Sequence, residues 1–239
     1  MSNQFRAVLF DWRDTLFHDE DDAQWVRASA ASIGRTLSVE QANAVAGMLG
    51  AASQGSQVVA ARATADCSAE LHRAAMLLEL RLAGIDDELA LAIYERDGDV
   101  AATVPYPDTP GVLRDLKSRG VRVGIISDIH YDLRRHFVHY RLEHVADSYT
   151  LSFEHGVQKP DPRLFQIALH ALGVEAQHTL MVGDTAARDG GAARVGVTTL
   201  ILAPVPNFSQ RGLDIVRHLV TCRWSQPVRS ARPRKCRLA

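Results

Sequence analysis

Short runs of apolar, often β-branched residues alternate along the chain with longer stretches in which apolar positions recur every three to four residues. The short runs predict buried β-strands, and the longer stretches predict amphipathic helices. The predicted strands are 6–11, 121–127, 148–153, 179–183 and 198–202, and the predicted helices are 110–119, 131–140, 162–172 and 186–195. Strands that alternate with helices of this length favour right-handed βαβ units. They therefore predict an α/β fold, a doubly wound parallel sheet with helices on both faces.

Residues 17–105 interrupt this alternation. They are rich in alanine, show helical periodicity and contain no segment that predicts a strand. We therefore predict an all-helical domain inserted after the first strand, with residues 1–16 and 106–222 forming the α/β core. Residues 223–239 are basic, contain two prolines and lack apolar periodicity, a composition typical of a disordered tail.

Composition excludes several classes of protein. A hydrophobic content of 46% with 23% charged residues is usual for a chain that buries a core, and a net charge of −1 gives no field that would attract nucleic acid or a membrane surface. The three cysteines show no CxxC spacing, the N-terminus does not resemble a signal peptide, and no apolar run approaches the roughly 20 residues that span a bilayer. These features lead us to expect a cytoplasmic protein with no membrane association.

Acidic and hydroxyl residues follow three of the predicted strands. Asp11 ends the first strand and Thr15 comes four residues later, Ser127 and Asp128 end the second, and Asp184 and Asp189 follow the strand 179–183. Ligands of such sheets bind at the carboxyl ends of the strands, so we expect these side chains to share one site. Lys159, in the sequence QKPDP just before a helix, completes the set.

This set of side chains suits phosphoryl transfer. Asp11 and Asp184 offer the oxygen ligands that Mg²⁺ prefers, and Lys159 adds a positive charge beside the phosphate and the Asp11 carboxylate. The Ser127 hydroxyl can donate to a phosphate oxygen. Asp11 would attack phosphorus and form an aspartyl-phosphate that water then hydrolyses.

Four segments in this order resemble the motifs of the haloacid dehalogenase-like hydrolase superfamily. They are FDWRDTL, GIISD, QKPD and VGDTAARD, and the resemblance extends over residues 6–203. It implies a Rossmann-like core with a helical cap, bound Mg²⁺, and phosphatase activity on a small phosphorylated metabolite. Matched to these motifs, Asp11 is the nucleophile, Ser127 and Lys159 bind the phosphate, and Asp184 and Asp189 serve the metal. Thr15 and Asp128 join the candidate substrate-binding residues, although Asp128 at this position also suits a helix cap.

The first motif departs from the family at two positions. Family phosphatases have the pattern DxDGT, in which the second aspartate is the general acid and base, whereas this chain has Arg13 there and Asp14 in place of glycine. The family residue at position 13 ligates the metal through its backbone carbonyl, which Arg13 retains. A guanidinium stays protonated, however, so it cannot shuttle a proton, and losing a general acid or base costs roughly 10²–10⁴-fold in rate.

Three consequences of this departure are open. Asp14 could substitute as the acid, Arg13 could bind the anionic part of a substrate, or the protein could bind a phosphorylated ligand without turnover. A 2-haloacid dehalogenase, which also lacks the acid, is less favoured because Asp128 follows Ser127 and the pair Asp184 and Asp189 is present.

Two further groups of polar residues have simpler interpretations. The histidines at 130, 136, 139 and 144 lack a metal-binding spacing, so we assign them to a surface helix. In the cap, Arg27, Arg62 and Arg73 are within reach of an anionic substrate, but solvated helix faces are the default interpretation for all three.

Overall fold

The computed structural model describes residues 5–206 and 208–221, so the predicted tail at 223–239 lies outside the described residues. The strands in this part of the chain are β1 (Ala7–Phe10), β2 (Phe17–Asp19), β3 (Thr103–Pro105), β4 (Arg122–Ser127), β5 (Ser148–Leu151), β6 (Thr179–Gly183) and β7 (Thr198–Ile201).

The described helices fall into two groups, one between β2 and β3 and one around the larger sheet. The first group is α1 (Asp22–Ser32), α2 (Val39–Ala52), α3 (Ser56–Arg62), α4 (Ala69–Leu82) and α5 (Asp87–Arg96). The second is α6 (Thr109–Ser118), α7 (Arg134–His139), α8 (Ser152–His155), α9 (Pro162–Leu172), α10 (Ala186–Asp189) and α11 (Asp214–Thr221). Short 3-10 helices cover Ala65–Cys67, Ala176–His178 and Gly190–Val195.

Five strands form a parallel sheet in the order β5-β4-β1-β6-β7. Alternate residues of β1 point to opposite faces, so Val8 and Phe10 pack with α6, α7 and α11, while Ala7 and Leu9 pack with α9. The chain leaves β1 for β4 and β5 on one side and then returns to β6 and β7 on the other. This reversal makes β1 the switch point of a doubly wound sheet, where a crevice opens at the carboxyl ends of the strands. The predicted α/β fold is confirmed.

The inserted segment packs its own core from α1, α4 and α5, including Ala30, Leu80 and Ile93. The expectation of an all-helical insertion is wrong at its two ends, because β2 and β3 pair antiparallel there. Three-residue strands carry too little periodicity to be read from a sequence. The two strands form a ribbon at the point where the chain enters and leaves the cap.

Two predicted helices are shorter than expected. The helix predicted over 131–140 begins only at Arg134, and the one predicted over 186–195 is α10 followed by the 3-10 helix Gly190–Val195. Paired glycines at 190 and 191 favour this change, because glycine is a poor α-helix former. Among the described helices, none has the length and apolar character needed to cross a membrane.

Candidate active site

The loop after β1 places Asp11 at the centre of the sheet edge. The Asp11 amide donates to the Val182 carbonyl at 2.9 Å, which extends the pairing of β1 with β6 by one residue. The chain then turns sharply, with the Phe17 amide donating to the Trp12 carbonyl at 3.0 Å and the Asp14 amide donating to the Phe17 carbonyl at 2.6 Å. These bonds use the groups on either side of Arg13 and leave the Arg13 carbonyl available as a ligand.

Asp14 adopts the left-handed conformation in this turn, with φ of 57°. That region favours glycine, which is the residue of the family motif, and aspartate is among the few other residues that tolerate it. Arg211, which is buried, donates from Nε to the Asp14 carbonyl at 2.6 Å. The backbone of Asp14 is therefore held on both sides, while its side chain is exposed at the cavity.

Lys159 joins two carboxylates at the base of the cavity. Its Nζ lies 2.6 Å from Asp11 Oδ1 and 2.7 Å from Asp189 Oδ1. The side chains of Lys159 and Asp189 are 2% and 0% exposed, so these charges are desolvated and depend on one another. Removing one member of such a buried group would leave an uncompensated charge.

Burial and charge act in opposite directions on these groups. Burial raises the pKa of Asp11 to about 7, Lys159 opposes the rise, and Asp189 adds to it. Burial alone would lower the pKa of Lys159, but Asp11, Asp189 and Asp128 outweigh it and raise that pKa, so Lys159 stays an ammonium. A positive group beside Asp11 would favour the ionised carboxylate, which is the form that attacks phosphorus.

The loop after β6 brings two further carboxylates to Asp11. Oxygens of Asp11, Asp184 and Asp189 lie within 4.8 Å of one another. Asp189 Oδ2 accepts from the amides of Asp184 and Thr185 at 3.1 and 3.0 Å, and its other oxygen binds Lys159. Both Asp189 oxygens are therefore engaged, which favours a role in fixing the loop and the lysine. Asp11 and Asp184 therefore offer carboxylate oxygens of the kind that a hard divalent cation binds.

The residues at the end of β4 line the cavity, and one of them also supports the loop that carries Lys159. Ser127 and Asp128 both line the cavity. Asp128 Oδ1 accepts from the Lys159 amide at 2.8 Å, so this carboxylate positions the lysine loop, and no helix begins at Asp128 for it to cap. Thr15 is fully buried and lies outside the cavity lining, and its hydroxyl has no partner among the described residues. The structure therefore does not bring Thr15 to the substrate.

Arg13 points towards the cap. Its guanidinium contacts Asp97, at the end of α5, at 3.1 Å and Asp19, in β2, at 3.2 Å. It also donates to the Tyr131 hydroxyl at 3.3 Å. Burial would lower the pKa of Arg13, but Asp97 and Asp19 outweigh it and raise that pKa. Arg13 therefore forms a charged bridge between core and cap at the position where the family motif has its acid.

A cavity of about 590 Å³ separates these residues from the cap helices. The cap supplies apolar side chains, among them Leu49, Met76 and Ile93, together with Arg62. Arg62 pairs with the buried Glu79. Arg27 and Arg73, the other cap arginines considered from the sequence, do not line the cavity.

Several titratable residues of the cavity wall were not assigned to the site from the sequence. Among them are Asp66, His72, Asp97 and His130. These four come from three separate segments, so no spacing along the chain could reveal them. The assignment of the histidines to a surface helix is wrong for His130 and His136, which are 7% and 0% exposed.

Comparison with known proteins agrees with this geometry. Residues 5–196 match the family model for haloacid dehalogenase-like hydrolase, and the chain belongs to this family of hydrolases. It is 26% identical over 225 residues to a glyceraldehyde 3-phosphate phosphatase of Methanothermobacter thermautotrophicus, covering 88% of this chain and 93% of the relative. It is 34% identical over 118 residues to (S)-2-haloacid dehalogenase 4A of Burkholderia cepacia, covering 49% of this chain and 48% of the relative. A crystal structure of a phosphatase from Thermococcus onnurineus aligns with a TM-score of 0.61 at 21% identity, covering 91% of this chain and 98% of that one.

Proposed function

We propose that this protein is a Mg²⁺-dependent phosphatase that hydrolyses a small phosphomonoester through an aspartyl-phosphate on Asp11. The observation that carries the proposal is the buried arrangement of Asp11, Lys159 and Asp189, with Asp184 beside them. A carboxylate and a phosphate dianion repel each other, so Asp11 needs positive charge beside it to approach phosphorus. Lys159 supplies that charge on one side, and the neighbouring carboxylate oxygens offer ligands for a cation on the other. A bound Mg²⁺ would supply the remaining positive charge.

In the first step, an Asp11 oxygen forms a bond to phosphorus, the bond from phosphorus to the leaving oxygen breaks, and the alkoxide that leaves takes a proton from water. Ser127 and Lys159 hold the phosphate oxygens during this step. In the second step, water attacks phosphorus, the bond to Asp11 breaks, and inorganic phosphate and the free carboxylate are released. Asp128 keeps Lys159 in place throughout by accepting from its amide.

The cavity supports a small substrate. Its base is charged, and its cap side combines apolar side chains with Arg62, His72 and several carboxylates. The relatives named as phosphatases act on small phosphorylated compounds, as their names state. We therefore propose a small phosphorylated metabolite as substrate. A cytoplasmic location, expected from the sparse cysteines, stays a prediction.

A panel of phosphomonoesters assayed for phosphate release, with Mg²⁺ and with EDTA, tests the proposal. The expected result is metal-dependent release by the wild type and none by Asp11→Asn, which keeps the shape of the side chain but removes the nucleophilic carboxylate. Release equal to that of Asp11→Asn on every substrate would refute the enzyme proposal. A rise in thermal stability when phosphate is added in the presence of Mg²⁺, with no turnover of any substrate, would then favour a protein that binds a phosphorylated ligand.

Dehalogenation is a second candidate, because a haloacid dehalogenase is among the relatives and the acid is missing at position 13. The same protein incubated with 2-chloropropionate and EDTA should release no chloride. Chloride release that depends on Asp11 and needs no metal would replace the phosphatase proposal.

A further inference from the structure

A second group of titratable side chains faces the cavity from the cap side. The rings of His72 and His130 stack with centroids 3.5 Å apart and planes 6° from parallel. Asp97 Oδ2 lies 3.6 Å from His130 Nδ1 and 3.9 Å from His72 Nε2, and Asp66 Oδ1 lies 3.9 Å from His72 Nε2. His130 belongs to the core, whereas the other three residues belong to the inserted segment.

The stacking argues against a metal ion shared by the two rings. The lone pair of an imidazole nitrogen lies in the plane of its ring, so two parallel rings direct their lone pairs side by side. A zinc site needs ligands that converge from tetrahedral directions. Two imidazolium cations would also repel each other at 3.5 Å, so at least one ring is neutral.

Asp97 connects this histidine pair to the altered motif. Its Oδ1 binds the Arg13 guanidinium at 3.1 Å, and its Oδ2 is turned towards the histidines. Burial would raise the pKa of Asp97, but Arg13, His130 and His72 outweigh it and lower that pKa. The Asp97 carboxylate lies 3.6 Å from His130 Nδ1, which is beyond hydrogen-bond distance, so its negative charge acts through space and favours a proton on that nitrogen.

His130 also has a suitable place in the chain. It lies three residues after Ser127, on the loop that follows β4, and β4 is paired with β1. The loop thus brings His130 into the cavity from the strand next to the one that carries Asp11, and both residues line that cavity.

We propose that His130, with Asp97 beside it, is the general base that activates water against the aspartyl-phosphate, in place of the carboxylate missing at position 13. This inference rests on the proposed phosphatase function. The water gives its proton to His130 Nε2 as its oxygen bonds to phosphorus, and the bond from phosphorus to Asp11 breaks. The products are the Asp11 carboxylate, phosphate and a protonated His130, which returns its proton to solvent.

The surroundings of His130 keep the ring in the basic form. Burial and the neighbouring His72 lower the pKa of His130 to about 4, against the opposing effect of Asp97. The titratable and charged groups that face it are His72 of α4, Tyr94 and Asp97 of α5, Arg13 of the β1 loop, Asp66, and Tyr131 and Arg135 of its own segment. The ring is therefore neutral at pH 7, which is the form that can accept a proton, and it is a weaker base than an ordinary histidine.

Rapid-quench kinetics with p-nitrophenyl phosphate separate the two steps, because p-nitrophenolate leaves without needing a proton. For His130→Gln and His130→Asn we expect a burst of about one p-nitrophenol per active site, followed by a steady rate roughly 10²–10⁴-fold below wild type. Acid quenching should trap the phosphoryl group on Asp11. Formation of this phosphoenzyme also shows that the variant is folded.

Matched variants decide the assignment. His139→Gln, at an exposed position, should leave the kinetics unchanged. Asp14→Asn tests the other acidic group near position 13, and a burst there instead of in His130→Gln would overturn the inference. Wild-type steady rates in both His130 variants would also overturn it. No turnover by the wild type would refute the phosphatase proposal itself, which is a different outcome.

Discussion

Replacing Arg13 with alanine tests whether this residue holds the cap on the core. The change removes the cation from Asp97, whose side chain is 7% exposed, and from Asp19. Breaking a buried ion pair from one side costs about 3–5 kcal/mol, because the remaining charge is left uncompensated. The Arg13 side chain is itself 33% exposed, so water shares its charge and the expected loss is smaller, about 2–3 kcal/mol.

Urea and thermal unfolding measure this loss. For a chain of this size we expect Arg13→Ala to lower Tm by roughly 4–12 °C. Arg119→Ala is the control, because its partner Asp115 lies one turn away on an exposed helix face, and its loss should stay within about 0.5 kcal/mol. In the double variant with Asp97→Ala the two losses should not add, since the pair is already broken. Arg13→Ala with the stability of the wild type, or with fully additive losses, would refute the bridge.

Three further predictions concern the lysine loop, acid stability and the metal. Gly191→Ala should reduce turnover, because the added Cβ would lie 2.7 Å from the Pro160 carbonyl oxygen and displace the loop that carries Lys159. Gly190→Ala is the control, because a Cβ there has nothing within 4 Å, and its turnover should stay at the wild-type rate. Equal turnover by the two variants would contradict this prediction. Burial lowers the pKa of His136 from 6.5 to about 4, so its contribution to stability is present above pH 6.5 and is lost as the pH falls towards 4, by about 3 kcal/mol in all. In urea unfolding, His136→Phe should therefore reduce the fall in the free energy of unfolding between pH 6.5 and 4, whereas His144→Gln, at an exposed position, should leave that fall unchanged. A wild-type pH profile in His136→Phe would contradict the prediction. Asp184→Asn should weaken the Mg²⁺-dependent rise in Tm, while Asp87→Asn, at an exposed position outside the cavity lining, should keep it. Equal Mg²⁺ responses would remove Asp184 from the ligand set.

The core could be predicted from sequence because its elements are strongly periodic. The strand at 179–183 and the helix at 162–172 have the predicted bounds. The strand is buried throughout, and the helix buries Leu164, Phe165, Ala168 and Leu172. The strands β2 and β3 escaped prediction because three residues are too few to show a period, and they are paired only by tertiary structure.

The site divides along the same line. That Asp11, Ser127, Lys159 and Asp184 line one cavity could be predicted, because each follows or precedes a recognisable element and the topology of a parallel sheet brings such ends together. The role of Arg13 could not, because its partners Asp97 and Asp19 are fixed by how the cap packs. The pairing of His72 with His130 likewise depends on a contact between cap and core that no local pattern encodes.

Acid-quench peptide mapping after a single turnover gives the most direct test of whether Asp11 carries the phosphoryl group. Wild-type protein mixed with a phosphomonoester and Mg²⁺ should yield a phosphorylated peptide that contains Asp11, sensitive to hydroxylamine as an acyl phosphate is. Asp11→Asn should yield none. Substrate turnover with the phosphoryl group on another residue, or with no phosphoenzyme in any variant, would contradict the account.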